Sequence, residues 1–168
     1  MKILVVSDTH GKHDRLFSVF RKEKDFDAVL HLGDLEGRED EIRRELDRVC
    51  PLAAFKWVPG NCDFSTDRTP YFVYEEPRSG LRILLTHGHR YHVGSGTDLL
   101  LSAAKTENCD MAFFGHTHQP FQEEKDGILL YNPGSISSPR GGNRQPSYGV
   151  LTIPEEGGKA TVETRYVK

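Results

Sequence analysis

Three times in the N-terminal part of the chain, an apolar run of strand length stops at an Asp or Asn. Ile3-Leu4-Val5-Val6 passes through Ser7 into Asp8-Thr9-His10-Gly11, after which Leu16, Phe17 and Phe20 recur at helical spacing. Ala28-Val29-Leu30-His31-Leu32 ends at Gly33-Asp34, and Ile42, Leu46 and Val49 then mark one face of a charged amphipathic helix. Pro51 prevents that helix from running on, and Ala53 to Val58 ends at Pro59-Gly60-Asn61-Cys62-Asp63. This βαβαβ order predicts a parallel sheet, because parallel neighbours need crossover connections and helices supply them. In such sheets, ligands gather outside the carboxyl ends of the strands.

Beyond residue 70 the pattern continues. Tyr71 to Glu75 and Leu81 to Thr86 read as strands joined by a turn at Pro77 to Gly80, the second ending at His87-Gly88-His89. Asp98 to Lys105 suits a helix, and Met111-Ala112-Phe113-Phe114 is a buried strand running into Gly115-His116-Thr117-His118. From Gln119 onward, Ile128 to Tyr131, Tyr148 to Ile153 and Ala160 to Val167 are strand candidates without a helix between them. They predict a mostly antiparallel β layer. The linkers 64–70, 91–96 and 139–146 are expected to shape a pocket.

A length of 168 residues fits one domain over 1–168. A net charge of −3 with scattered basic residues offers no stripe for an extended nucleic-acid interface. No run is long enough to cross a bilayer, and the N-terminal segment lacks the features of a secretory leader, so the cytoplasm is the expected location. Cys50, Cys62 and Cys109 are widely spaced and outside any Cys-x-x-Cys pattern, which argues against a disulfide framework or a thiolate zinc site.

Alternate residues of an extended segment share a face, so His116 and His118 can address one volume. Taken alone, the pair reads as a polar turn. The other strand ends reverse that preference, because together they offer seven donors: Asp8, His10, Asp34, Asn61, His87, His116 and His118. Mixed carboxylate and imidazole ligation favours manganese, iron, zinc or nickel, and seven donors exceed one tetrahedral site. Two divalent ions balanced by only two carboxylates remain cationic. Such a centre draws a phosphoryl group and acidifies a shared water, which makes phosphate ester hydrolysis the natural chemistry.

The set Asp8-Thr9-His10, Gly33-Asp34, Gly60-Asn61-Cys62-Asp63, His87-Gly88-His89 and Gly115-His116-Thr117-His118 resembles the calcineurin-like metallophosphoesterases in order and spacing. With Asn132-Pro133-Gly134-Ser135 and Pro139-Arg140, the chain is similar to their small, single-domain bacterial and archaeal phosphodiesterase branch. The resemblance implies an α/β fold, a four-layer αββα sandwich of two mixed sheets flanked by helices. It implies two divalent transition ions, manganese first among them. Asp8, His10 and His118 would hold one ion, Asn61, His87 and His116 the other, with Asp34 bridging. It further implies in-line attack by a metal-bridging hydroxide on a small phosphate ester, with Asp34 and Asn61 as catalytic residues.

One departure stands out: many phosphomonoesterases of the superfamily carry a His where this chain has Cys62. A thiol is a poorer proton donor at neutral pH, which predicts a preference for diesters or good leaving groups. Cys62, His89 and Arg140 join Asn61 as candidate substrate contacts, whereas His13, His31 and His92 match no motif and are expected at a helix start, in a strand and in a loop. The resemblance also reaches a eukaryotic retromer subunit and break-repair nucleases, so a protein-interaction scaffold and a nuclease are the competing functions. The oligomeric state is left open, a homo-oligomer included.

Overall fold

The computed structural model describes residues 1–64, 68–155 and 158–167. Five strands form one sheet: β1 (Lys2–Val6), β2 (Ala28–His31), β3 (Ala54–Trp57), β9 (Ser147–Thr152) and β10 (Thr161–Tyr166), in the order β10-β9-β1-β2-β3. The second sheet contains β4 (Tyr71–Glu75), β5 (Arg82–Thr86), β6 (Met111–Phe113), β7 (Pro120–Lys125) and β8 (Ile128–Pro133), in the order β4-β5-β6-β8-β7. Both are mixed. β1, β2 and β3 run parallel, as do β5, β6 and β8, while β9, β10, β4 and β7 pair antiparallel to their neighbours.

Side-chain alternation explains the layering. Ile3 and Val5, with Leu30 and Leu151 of the same sheet, meet Ile83, Leu85, Phe113 and Tyr131 of the second, while Leu4 and Val6 face the helices. Strands covered on both faces read as unbroken apolar runs. Helices α1 (Asp14–Glu23) and α2 (Glu39–Val49) cover the first sheet with Leu16, Val19, Phe20, Ile42 and Leu46. Helix α3 (Asp98–Thr106) covers the second with Leu100, Leu101 and Ala104. The result is the expected four-layer αββα sandwich.

The expectation for the tail needs correction. Its strands do not form one antiparallel layer: β7 and β8 join the second sheet, β9 and β10 the first, and β8 lies parallel to β6. β8 is apolar on both faces, with Tyr131 in the inter-sheet core and Leu130 under α3, and so completes the second sheet. Strand β7 was not expected. Its sequence Pro-Phe-Gln-Glu-Glu-Lys is largely exposed at a sheet edge, where no apolar alternation is required. Residues 65–67 of the linker expected at 64–70 lie outside the described residues. Among those described, no helix is long and apolar enough to cross a membrane.

Two polar devices tie the layers. Tyr131 crosses the inter-sheet core to meet Thr164 Oγ1 at 3.0 Å, and the absent Cβ of Gly149 leaves room for its hydroxyl. At the end of α1, the nearly buried Glu23 carboxylate accepts from Lys2 at 2.9 Å, Arg165 at 2.9 Å and Tyr148 at 2.6 Å, linking the helix to β1, β9 and β10. Burial acts to raise its pKa, but these three donors outweigh it and hold the group at about 2, below its ordinary 4.5. A lowered folded-state pKa stabilises above the unfolded value and is lost as pH falls through the folded one. Glu23→Gln is therefore expected to lower stability at pH 7 by on the order of 2 kcal/mol. The urea midpoints of the two proteins should converge between pH 4.5 and about 2.

Candidate metal centre

The loops after β1, β2 and β3 meet the loops after β5 and β6 at one edge of the sandwich, where the parallel strands present their carboxyl ends. All seven donors converge there. Ligand atoms of Asp8, His10, Asp34 and His118 lie within 4.8 Å of one another. On the other side, Asn61 Oδ1 lies 3.2 Å from His87 Nε2 and 2.9 Å from His116 Nδ1. Asp34 stands between the two groups, its Oδ2 3.8 Å from His10 Nε2 and 3.4 Å from His87 Nε2.

Neighbouring groups orient the rings. His87 Nδ1 donates to Leu32 O at 2.7 Å, His118 Nδ1 to Ser138 O at 2.6 Å, and His10 Nδ1 to the Glu36 carboxylate at 2.6 Å. These partners assign a proton to Nδ1 and turn Nε2 of each ring inward, where a neutral ring presents its lone pair. Acceptors then face acceptors: His118 Nε2 stands 3.1 Å from Asp8 Oδ1 and 3.2 Å from His10 Nε2. Lone pairs at such distances repel unless a proton or a cation lies between them. The side chains of Asp8 and Asp34 are nearly or fully removed from water, and a buried charge needs a paired one.

The electrostatics agree. Burial opposes ionisation of Asp8, yet His118 and His87 hold its pKa below the ordinary value. Asp34 is likewise lowered, against burial, by His87 and the Cys62 backbone N–H. Reciprocally, Asp34 and Asp8 raise His87, and Asp8 raises His118, each against its own burial. The centre attracts positive charge, and divalent ions fit its donor set of carboxylates, imidazoles and an amide oxygen.

Backbone geometry makes the convergence possible. Asp8, His10, Asp34, His116 and His118 all adopt left-handed φ, between 47° and 67°. Non-glycine residues pay roughly 1–2 kcal/mol for this region, and such strain concentrates at functional sites. Hydrogen bonds across the loops hold it: Asp8 N–H to Gly33 O at 3.0 Å, His10 N–H to Asp34 O at 2.9 Å, and Ser135 Oγ to Asp8 O at 2.8 Å. A side chain would not fit between the loops. A Cβ on Gly60 would overlap Asp34 Oδ1, and one on Gly33, at φ 96°, would lie 2.7 Å from Gly60 N and 2.8 Å from His87 Nδ1.

His31, expected only as a strand residue, ends β2 and is buried; burial pushes its pKa down to about 4. Its Nδ1 accepts from Gly33 N–H at 3.2 Å, so Nε2–H donates to Thr9 Oγ1 at 3.1 Å, and Thr9 in turn donates to Asp34 O at 3.4 Å. This chain joins the turn bearing Asp8 and His10 to the turn bearing Asp34. His13 sits at the start of α1, and His92 in a loop, both apart from the donors.

The remaining candidates flank the centre. Cys62 N–H donates to Asp34 Oδ1 at 2.8 Å, and Asn61 Nδ2 reaches Cys62 Sγ at 3.3 Å. His89 lies 5.5 Å from the His87 ring and 6.1 Å from the His116 ring, its Nδ1 buried and unpartnered among the described residues. Arg140 is exposed, with its N–H bonded to His118 O at 3.0 Å. Sequence reasoning gave Ser135 a motif but no role, and missed Glu36 and the carbonyls of Leu32 and Ser138. A carbonyl carries no residue-type signal, and an exposed Glu after Gly33-Asp34 resembles any loop acid.

The profile of the calcineurin-like phosphoesterase superfamily domain matches residues 1–156. The chain belongs to that superfamily. Among its members, the phosphodiesterase YfcE of Escherichia coli is 39% identical over 90% of this chain and 87% of its own length. The probable metallophosphoesterase YsnB of Bacillus subtilis is 32% identical over 93% and 86%. A predicted phosphoesterase from Streptococcus pneumoniae superposes with a TM-score of 0.76 at 29% identity, covering 98% of this chain and 97% of the other. A zinc complex of Vps29 from Entamoeba histolytica reaches the same TM-score of 0.76 at 22% identity with full coverage of both chains, which shows a shared fold.

In this superfamily member, Gly33→Ala is expected to cost about 3 kcal/mol of stability through strain and overlap. It should also weaken binding of a divalent ion, measured by calorimetry. Thr9→Val, which removes one hydroxyl from the His31 chain, should weaken ion binding roughly tenfold with a smaller loss of stability.

Proposed function

We propose that the chain is a phosphodiesterase that works with two divalent transition ions on small phosphate esters. The observation that carries this reading is the inward aim of the His10, His87 and His118 Nε2 atoms at buried carboxylates, an arrangement that calls for positive charge. Asp8, His10 and His118 would hold one ion, Asn61, His87 and His116 the other, and Asp34 both. When bound, the ions, manganese by preference with iron, zinc or nickel as alternatives, supply an acidified water and the positive charge that draws a phosphoryl group.

The protein's own groups do the rest. Asp8 and Asp34 cancel only two of the four positive charges, so an anionic ester is still attracted. Asn61 Nδ2–H can turn from Cys62 toward a phosphoryl oxygen and stabilise charge that accumulates there. His89 and Arg140 border the same edge and offer further donors to the ester. Cys62 sets the preference among substrates. Burial, together with Asp34, Glu36 and Asp63, pushes its thiol up to about 11, so Sγ–H is a weak acid beside the centre. A departing oxygen that needs protonation gains little from it, which favours diesters and esters with good leaving groups.

A single continuous domain and a cytoplasmic setting accord with this activity. Asp34→Asn should abolish hydrolysis of a chromogenic diester by the manganese-loaded protein; activity retained by that variant would overturn the bridging role. His116→Ala and His118→Ala should each lose one of two ions by metal analysis while disabling the same reaction. Cys62→His should raise the monoester-to-diester rate ratio about tenfold or more. An unchanged ratio counts against the thiol as the source of the preference.

A further inference from the structure

We propose that Glu36, Cys62 and the Nδ1 edge of His10 form a separate site for a thiophilic divalent ion, zinc above all, and that an ion held there withdraws His10 from the phosphoesterase centre. The three residues come from the loops after β2, β3 and β1, and a ligand atom from each lies within 4.8 Å of the others. His10 Nδ1 and Glu36 Oε1 are already 2.6 Å apart. The loops are fastened from behind, since Glu36 N–H donates to Asp63 Oδ1 at 2.6 Å and Cys62 N–H to Asp34 Oδ1 at 2.8 Å.

The donor types decide the ion. Thiolate, imidazole and carboxylate form a zinc set, whereas manganese prefers oxygen and nitrogen and gains little from sulfur. Zinc binds sulfur at about 2.3 Å and nitrogen or oxygen at about 2.0–2.2 Å, so the three donors need side-chain adjustments of only about 1 Å. Glu36 is exposed and His10 and Cys62 are partly exposed, leaving a solvent face for a fourth ligand. Asp34 accepts from the Cys62 N–H and Asp63 from the Glu36 N–H, so with Glu36 itself three carboxylates gather around these loops and attract a dication.

A neutral imidazole has one lone pair. At present His10 directs Nδ1–H to Glu36 and Nε2 to Asp8, Asp34 and His118. An ion on Nδ1 takes that lone pair, and the proton moves through solvent to Nε2, which then meets the centre as an N–H donor. The Cys62 Sγ proton passes to water as the sulfur–zinc bond forms, and nothing is oxidised or reduced. Occupancy of the two sites through His10 is therefore exclusive, and zinc inhibits. This consequence rests on the phosphodiesterase reading, but the ion site itself does not.

Two measurements test it on the manganese-loaded protein under reducing conditions. Cobalt(II) added to the wild type should produce a sulfur-to-cobalt charge-transfer band in the near ultraviolet that is missing in Cys62→Ser. The zinc concentration that halves diester turnover, each variant scored against its own manganese rate, should rise about tenfold or more in Cys62→Ser and in Glu36→Gln. Absence of the band in the wild type would overturn the site, and equal zinc sensitivity of all three proteins would overturn the withdrawal of His10. A band in a protein without turnover upholds the ion site and counts against the phosphodiesterase reading; turnover without a band does the reverse.

Discussion

Taking the Asp8 and Asp34 carboxylates out of water at the junction of two sheets is the constraint from which most of the molecule's polar architecture follows. A buried carboxylate is tolerated only with compensating charge and hydrogen bonds. Here that compensation is a ring of imidazoles whose outer nitrogens are anchored on Leu32 O, Ser138 O and Glu36. The anchors are what make the centre selective for cations. If the rings could rotate, their N–H groups would satisfy the carboxylates and nothing further would be needed. Anchored as they are, they offer lone pairs, and only positive charge completes the arrangement.

The sandwich exists in the form needed to hold that ring. Strands β1 and β2 deliver Asp8 and Asp34 from one sheet, while β5 and β6 deliver His87 and His116 from the other. The inter-sheet core of Ile3, Val5, Leu30, Leu85 and Phe113 fixes the separation of those ends. Packed cores do not deform continuously, so the distance between the two halves of the centre is set by side chains well away from it. At the rim the approach is closer still, and Gly33, Gly60 and Gly115 occur where a Cβ would strike Asp34, His87 or Asp8. The left-handed turns at five of the seven donors are a cost of the same convergence.

Cys62 gives the centre its own character. In the proposed reaction it occupies the position from which a stronger proton donor would assist departure of an alkoxide, and burial together with its acidic neighbours favours its thiol form. Under the two proposals one residue connects substrate preference to metal selectivity: as a thiol it would be a weak acid, and as a thiolate a ligand for softer ions. Glu36 takes part in both states, holding His10 in the orientation that serves the centre and standing ready beside the sulfur.

The local pattern was legible from residues alone. Apolar runs at β1, β2 and β3, each stopping at Asp or Asn, disclosed parallel strands, and with the runs at β5 and β6 that lead into His87 and His116 they marked the edge where ligands collect, because hydrophobic periodicity and strand termination are local properties. The family resemblance added the layers and the division of donors. What the sequence could not disclose depended on partners distant in the chain. β7 is polar because it lies at an edge, and the tail divides between sheets because β8 finds apolar cover on both faces; neither neighbour is visible in a short window. The same holds at the centre. The sequence determined which side chains could bind cations, since that follows from residue type. Only the tertiary structure decided which nitrogen of each imidazole points inward, because that is set by carbonyls and a carboxylate brought in from other loops.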